Sequence, residues 1–471
     1  MIRSSLFTRS ALGLALALGV AAAGATPALA KDKDKDKSSA SAGKITPSKP
    51  VMALYPALNT ALENAPKRAD VAQAAANVAS ATTALNAASG KAARATARTN
   101  YDAAVAALGA TLTAEKGQLE QLHAAATTAD DKYIYGQLAF KLGKIAEDKA
   151  LQRTGLAATV ESGKLPPEQA AEFNFFVGAL SYDMRDYAAA RTALQAAIGG
   201  GYAKNDVEGM LAEAYINDNQ PGEGLKVLQA AIAKKGNAAP EDWLRRGEVV
   251  AYNAKMTDQA ATFGAQLVRN YPGKQNWALA ISVLRDLARY PAQDMIDLLR
   301  LMDRTDSYME GRDYVEYIQA ADPRRSPGEV MKVLNKGLAS GKLSTSDVFV
   351  TDAKSVATAR ITADKASLPA MERDARAGAA TANAVMAAAD AYLSYDQPAK
   401  AAELFQLAMT KPGVETDKAL TRLGIAQVDM GQAAAAQATF AKVGGTRKLM
   451  AQLWSSYAAG KAAPAAAPAA Q

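Results

Sequence analysis

One complete helix hairpin can be read from residues 423–443, which have the sequence LGIAQVDMGQAAAAQATFAKV. Small residues stand where two helices would cross, at Gly424 and Ala436, and Gly431 stands at the predicted turn. Small side chains at a crossing let two helix axes approach closely, and Phe440 is then placed to fill the space beside them. The segment therefore predicts two antiparallel helices joined by a tight turn.

The same spacing returns about every 34 to 37 residues, a period typical of stacked two-helix repeats. Three further units carry small and aromatic residues at matching offsets on both helices. They contain Gly178, Ala190, Leu194 and Ala197; Leu211, Ala212, Tyr215, Gly224, Leu228 and Ala231; and Ala389, Tyr392, Ala401, Phe405 and Ala408. Looser units contain Trp243 and Trp277, and weaker ones follow the same phase at Phe349 and Leu142. The pattern predicts an all-α solenoid of roughly eight to ten hairpins.

These residues resemble the tetratricopeptide repeat family, whose pattern is Trp, Leu-Gly and Tyr on the first helix, then Ala and Phe on the second. The resemblance is carried by residues 171–235 and 383–445, and less fully by 240–340. It implies a right-handed superhelical solenoid of antiparallel helix hairpins. It also implies a non-catalytic scaffold that binds a protein or peptide partner.

The resemblance selects a candidate ligand groove, because first helices line the concave face in this family. The inward offsets fall on Phe175, Tyr182, Glu213, Asn217, Leu244, Glu248 and Tyr252. Aromatic side chains would give contact area, and carboxylates would meet Lys or Arg of a bound peptide. The alternative is that these residues only solvate an empty face. Capture of an acidic C-terminus is disfavoured here, although Lys418 and Arg422 could support it farther along.

The N-terminus has the order of parts of a secretory signal peptide. Arg3 and Arg9 precede an apolar run at residues 11–23, and Ala28-Leu29-Ala30 offers a cleavage site. We therefore predict a signal peptide at residues 1–30 and a secreted bacterial protein, with the periplasm as its destination. The mature chain is predicted to have no membrane-spanning segment.

The remaining domain boundaries follow from composition. Residues 31–50 form a charged leader too polar to bury a core, and residues 461–471 form an Ala/Pro tail; both are predicted to be disordered. Residues 51–128 are Ala-rich and helical, and we predict irregular helix pairs there, with a coiled-coil hairpin as the alternative. Residues 129–445 hold the repeats, and residues 446–460 a capping helix. Ser326 to Glu329 predicts a helix start with a Ser cap and a Glu that bonds back.

Catalytic chemistry finds little support in the sequence. The chain has one histidine, His123, and no cysteine, so thiolate metal sites and disulfides are excluded and no metal or other cofactor is predicted. The pairs Asp130-Asp131 and Glu241-Asp242 are interpreted as helix caps. The net charge is +7, but basic and acidic residues alternate, so no nucleic-acid partner is predicted. The alternative function is a peptidoglycan-acting enzyme of the cell wall, or its accessory subunit.

Overall fold

The computed structural model describes residues 45–462, and this part of the chain is helical, with short turns and no strand. Consecutive helices pack against each other along nearly the whole of it. The fold is therefore an all-α solenoid of antiparallel hairpins, as predicted. None of the helices in the described range combines the length and apolar character needed to cross a bilayer.

The N-terminal region is one hairpin nested inside another. Helix α1 (Lys49–Asn64) packs against α4 (Thr113–Ala125), and the chain between them folds as α2 (Ala69–Ala87) and α3 (Lys91–Thr111). Helices α2 and α3 pack mainly against each other. The α2–α3 pair is therefore an arm beside the solenoid and not one of its repeats.

The covered residues of this arm lie three and four positions apart, which is the spacing of a coiled-coil seam. On α2 they are Val71, Ala74, Val78, Ala81 and Leu85, and on α3 they are Ala97, Tyr101, Ala104 and Leu108. This spacing favours the coiled-coil alternative over irregular helix pairs for the arm. The sequence pattern indicates this seam only weakly, because Ala and Val occupy positions where Leu and Ile are expected.

Five hairpins follow, each made of two helices in direct contact. Their helices are α5 (Ala129–Ile145), α6 (Lys149–Glu161), α7 (Pro167–Asp183), α8 (Tyr187–Gly199), α9 (Val207–Asn217), α10 (Pro221–Lys235), α11 (Glu241–Asn253), α12 (Thr257–Asn270), α13 (Lys274–Ala288) and α14 (Ala292–Arg304). The odd-numbered member of each pair is the first helix of its hairpin.

The repeat period of the sequence reappears in the bonds between neighbouring hairpins. Side chains on successive first helices bond to each other across 33 to 35 residues. Three such pairs are Tyr182 with Asn217, Glu213 with Arg246, and Tyr252 with Asp286. Each first helix is therefore held in register with the next.

Glycines at the helix crossings are as tightly enclosed as the sequence predicts. A Cβ at Gly424 would overlap the ring of Phe440, and a Cβ at Gly247 would overlap the ring of Phe263. At Gly178 it would lie 2.6 Å from Cγ of Leu194. The close approach of the two helices in these hairpins therefore requires glycine.

The C-terminal helices continue the solenoid with three more hairpins and two single helices. They are α15 (Gly311–Ala321), α16 (Pro327–Ala339), α17 (Val348–Ala375), α18 (Ala382–Ser394), α19 (Pro398–Met409), α20 (Thr416–Asp429), α21 (Ala433–Phe440) and α22 (Lys448–Ala462). Helix α17 is one helix of 28 residues. The weak repeat predicted at Phe349 therefore does not form a hairpin.

The C-terminal half closes on itself. Helix α22 covers α21, as the predicted capping helix should, but it also packs against α12. One apolar core consequently runs from Ala261 to Ala458. Trp454 is fully buried in it, and its indole Nε1 donates to the carbonyl of Asp297 at 2.9 Å. Helices α12–α22 therefore form a ring, and the repeat pattern of the sequence does not predict this closure.

A buried cluster of charged residues joins the ends of this ring. The carboxylate of Asp297 on α14 is fully buried and accepts hydrogen bonds from Arg300, Arg422 and Arg447. Arg422 lies on α20, and Arg447 comes just before α22. Three helical segments therefore meet at one carboxylate. We call Asp297, Arg300, Arg422 and Arg447 the Asp297 clasp.

The side-chain bonds at two helix starts can be compared with the predicted caps. Helix α16 begins at Pro327 as predicted, but the Ser326 side chain makes no cap bond, and Glu329 accepts instead from Arg300 and Tyr317. Asp131 caps α5 together with Thr128, which confirms its predicted capping role.

The disordered leader was predicted to extend too far. Helix α1 already begins at Lys49, and the backbone N–H groups of Thr46 and Ser48 donate to Asp130 and Asp131. These bonds fix the chain before the predicted boundary at residue 50. The predicted signal peptide and most of the leader lie outside the described residues, as does the tail from residue 463.

Candidate binding surface

A row of polar side chains crosses four successive first helices. Helix α7 contributes Tyr182, α9 contributes Glu213 and Asn217, α11 contributes Arg246 and Tyr252, and α13 contributes Asp286. We call these six residues the first-helix surface. All six are exposed or half-buried, so a ligand could reach them.

Tyr182 and Asn217 form the first link of this row. The Nδ2 of Asn217 donates to the phenol oxygen of Tyr182 at 2.8 Å and also contacts the carbonyl of Glu213. Partial burial, with the charge of Glu213 as a smaller cause, raises the pKa of Tyr182 to about 12. The phenol therefore stays protonated at neutral pH, and its own proton can be donated to a ligand.

Glu213 and Arg246 form the second link. Two guanidinium nitrogens of Arg246 donate to the two carboxylate oxygens of Glu213 at 2.6 and 2.9 Å. The hydrogen bond to Glu213 raises the pKa of Arg246. A bidentate pair of this kind is rigid, so it holds α9 and α11 in a fixed relation and leaves the guanidinium edge partly open.

Tyr252 and Asp286 form the third link. The Tyr252 hydroxyl donates to the Asp286 carboxylate at 2.7 Å, and this bond raises the pKa of Tyr252. The ammonium of Lys255 lies 4.7 Å from the centre of the Tyr252 ring. The same ammonium lies 4.0 Å from the Asp286 carboxylate, so a Lys or Arg side chain of a partner would bind here by replacing Lys255.

Three of the seven predicted groove residues are buried and cannot line an open surface. Phe175 is 5% exposed and stacks on Tyr202 with ring centres 4.8 Å apart. Leu244 and Glu248 are fully buried. Neighbouring helices cover these three side chains because the first helices pack closely here. The ligand role of Tyr182, Glu213, Asn217 and Tyr252 stays a prediction.

Sequence reasoning missed Arg246 and Asp286, although a signal for both is present. Each stands 33 or 34 residues from its bonded partner, which is one repeat period. A search for complementary polar residues one period apart would have found both.

The alternative carboxylate site at Lys418 and Arg422 is wrong for Arg422. Its guanidinium is buried and bonded to Asp297 and Asp390 in the Asp297 clasp. The Nζ of Lys418 lies 3.5 Å from Oε1 of Glu415, which immediately precedes helix α20. An arginine already bonded to two carboxylates has little capacity left for a third.

A polar cavity of about 350 Å³ lies inside the ring, between α14, α16 and α18–α20. Its charged groups are already paired with each other. Arg300 binds Glu329 at 2.7 Å, Arg304 binds Asp429 at 2.7 Å, and Lys332 binds Asp396 at 2.5 Å. These pairs stabilise the ring. The side chains of the first-helix surface are paired as well, but that surface extends across four successive first helices, which makes it the candidate for a partner.

His123, the one histidine, lies on the exposed side of α4 and stacks on Tyr135 with ring centres 4.1 Å apart. Within residues 45–462, no three of the His, Asp and Glu side chains converge as metal ligands would. The helix packing defines the chain as an all-α solenoid of TPR-like hairpins.

Comparisons with known proteins add no closer assignment. No protein-family model matches the chain, and no curated protein matches it. One similar solved chain comes from the structure of Naa15/Naa10 bound to HypK-THB, at 13% identity and a TM-score of 0.35. The match covers 85% of this chain and 63% of that chain, which is less than two thirds of its length. The fold assignment rests on the helix packing described above.

Proposed function

We propose that this chain is a non-catalytic scaffold that binds a protein or peptide partner through the first-helix surface. The observation that carries the proposal is the continuity of that surface. Four consecutive first helices each present polar or aromatic groups, and the bonds between them fix their spacing. A surface ordered before binding loses little conformational entropy when a partner docks.

The proposal places the partner in the bacterial cell envelope. The signal-peptide pattern at residues 1–30 supports export, and the Cys-free composition is compatible with an oxidising compartment. Cleavage after Ala30 can be checked by measuring the mass of the mature protein. An intact N-terminus on protein recovered from cells would count against export.

Site-specific crosslinking tests the binding surface. A photoreactive amino acid at Asn217, which is exposed on the surface, should capture one abundant partner in whole cells. The matched control places the same group at Thr192, which is exposed on the second helix α8. Equal capture at both positions would refute the proposed surface.

Alanine variants give a second, independent test. Replacing Tyr182 and Tyr252 with Ala should abolish recovery of the partner identified by crosslinking. Tyr215→Ala is the control, because Tyr215 lies on α9 but bonds to Gln195 of α8, away from the row. The non-catalytic part of the proposal is tested by zymography, since digestion of purified cell wall by the mature chain would contradict it.

A further inference from the structure

Glu248 on α11 is a buried acid without a hydrogen-bond partner. The residue is fully buried, and neither carboxyl oxygen contacts a donor. Buried polar groups in proteins are nearly always hydrogen-bonded, because an unpaired one costs free energy. An exception in the middle of a repeat array therefore needs a physical explanation.

The carboxyl group occupies a space formed by the smallest side chains of the neighbouring helices. A Cβ added to Gly264 on α12 would lie 2.6 Å from Oε1 of Glu248 and 3.2 Å from Cβ of Ala280 on α13. Helices α11, α12 and α13 therefore meet around this group. A negative charge on the carboxyl would have no donor to stabilise it while the three helices stay packed.

Charged neighbours do not supply the missing partner. Among the described residues, Arg245 is the group whose charge acts on Glu248, and its guanidinium is bonded to Glu241 and Asn276. The helices packed against α11 carry other charged residues, and several of these are paired with groups other than Glu248. The full set is Glu223, Lys226, Lys234 and Lys235 on α10, Asp258 and Arg269 on α12, and Lys274, Arg285 and Asp286 on α13.

We propose that the junction of α11, α12 and α13 is a pH-sensitive hinge in the solenoid, which loosens when the Glu248 carboxyl loses its proton. In the closed junction the carboxyl is a neutral acid enclosed by Gly264 and Ala280. Once ionised, it needs water or a donor, and the helices must move apart to admit one.

The direction of the effect follows from linkage. Burial raises the pKa of Glu248 to about 8, and the charge of Arg245 opposes this rise. In an open junction the carboxyl would have its ordinary pKa of 4.5. The closed junction is therefore fully favoured below pH 4.5 and loses stability as the pH rises toward 8. Between pH 6 and pH 9 the opening equilibrium should increase roughly a hundredfold.

The hinge lies directly beneath the first-helix surface. Tyr252 follows Glu248 by one turn on α11, and its bond to Asp286 spans from α11 to α13. Opening the junction would separate this pair and disrupt the surface. This consequence for the partner rests on the proposed function, whereas the loosening itself does not.

Hydrogen exchange of the full mature chain, without partner, tests the hinge. Labelling at pH 6, 7, 8 and 9, with times scaled to the intrinsic exchange rate, should show falling protection of α11–α13 peptides in the wild type. Glu248→Gln keeps the shape and removes the charge, so its protection should stay constant. Peptides from α1 and α5, which lie in a separate core, are the internal reference.

Infrared spectroscopy gives a second measurement, in which Glu248→Gln assigns the band. The wild type at pH 7 should show the carbonyl band of a protonated, buried carboxyl, and the band should vanish above pH 9. If the band is absent from Glu248→Gln, it belongs to the Glu248 carboxyl. Constant protection of α11–α13 across the pH range, or no protonated carboxyl at pH 7, would overturn the hinge. Loosening with unchanged partner binding would refute only the link to the first-helix surface.

Discussion

Asp297 holds together parts of the chain that are distant in sequence. It bonds to Arg300 one turn away, to Arg422 across 125 residues and to Arg447 across 150 residues. Burial alone would raise the pKa of Asp297, but the charges of these arginines lower it well below its usual range. A buried charge of this kind is tolerable only because it is fully paired.

Asp297→Asn should therefore destabilise the protein strongly. The amide keeps the shape but leaves three buried guanidinium groups without their shared anion, so we expect a loss of about 3–5 kcal/mol. Urea unfolding at pH 7 measures this loss. Asp286→Asn, at an exposed carboxylate, is the matched control and should change stability by less than about 1 kcal/mol. Similar losses in both variants would contradict the structural role of the Asp297 clasp.

Glu329 makes the ring sensitive to acid. Burial opposes ionisation, but the charge and hydrogen bonds of Arg300 lower the pKa of Glu329 to about 2. Its stabilising effect is present above the unfolded pKa of 4.5 and is lost as the pH falls toward 2. The contribution amounts to about 3 kcal/mol.

Unfolding measured at pH 6 and pH 3 should show about 2 kcal/mol of this loss in the wild type, because pH 3 is still above the folded pKa. Glu329→Gln should be less stable at pH 6 and should lose less on acidification. An equal loss in wild type and variant would show that other carboxyl groups dominate the acid response.

At the scale of single elements, the turn inside each hairpin depends on one left-handed residue. Such residues follow the first helix at Glu147, Arg185, Asn219, Lys255 and Arg289, with φ between 49° and 62°. Gly431 has the same role in the hairpin of α20 and α21, with φ of 75°. Only glycine adopts this conformation without strain.

Arg185→Gly should consequently stabilise the protein by about 1 kcal/mol, since it relieves the left-handed strain. Arg185 is exposed. Gly431→Ala is the reciprocal variant, because open space surrounds its Cβ position and only the backbone changes. It should destabilise by a similar amount in thermal unfolding. A loss of stability in both variants would mean that side-chain contacts outweigh the backbone conformation.

The α2–α3 arm should be the least stable element. Its seam is mostly Ala and Val, which bury little area, and the arm has few contacts with the repeats. Within residues 45–462, limited digestion with trypsin should therefore cut first at Lys91 or Arg94, next to the turn between α2 and α3. A first cut among helices α5–α22 would contradict this order.

Local patterns could be predicted from sequence wherever the contact is close along the chain. Gly424 and Phe440 are 16 positions apart, and their spacing alone predicted the crossing that the structure shows. Glu329 was predicted to bond back to its own helix start, but Arg300 on α14 binds it instead. The seam of the arm was missed because Ala74 and Ala81 do not stand out in an Ala-rich segment.

At the scale of the whole molecule, ring closure could not be predicted. It depends on α22 meeting α12, and no periodicity links these helices. Asp297 has no neighbouring motif that distinguishes it from a surface acid. The spacing of the predicted groove residues marks a helix face, but it could not predict the burial of Phe175, Leu244 and Glu248, which depends on how closely the next helix approaches.

Trp454 should be the most sensitive aromatic residue of the ring. Trp454→Ala removes a fully buried side chain and its bond to Asp297, so we expect a loss of about 3–5 kcal/mol. Hydrogen exchange should show reduced protection in α13–α22, with α5–α8 unchanged. Trp243→Ala is the matched control, because Trp243 lies in a separate core and should loosen α9–α12 instead. Identical exchange patterns would mean that the two cores unfold as one.

Ring closure also sets the order in which the newly made chain can fold. Each early repeat contacts its immediate neighbours, so it can fold before the rest of the chain has emerged. The ring cannot close until α22 is present, because Trp454 completes a core that begins nearly 200 residues earlier. The bond between Ser456 and Ala265, for example, spans 191 residues. Until then the apolar faces of α12–α14 remain exposed to solvent. The C-terminal half of the chain should therefore need a chaperone more than the N-terminal half does.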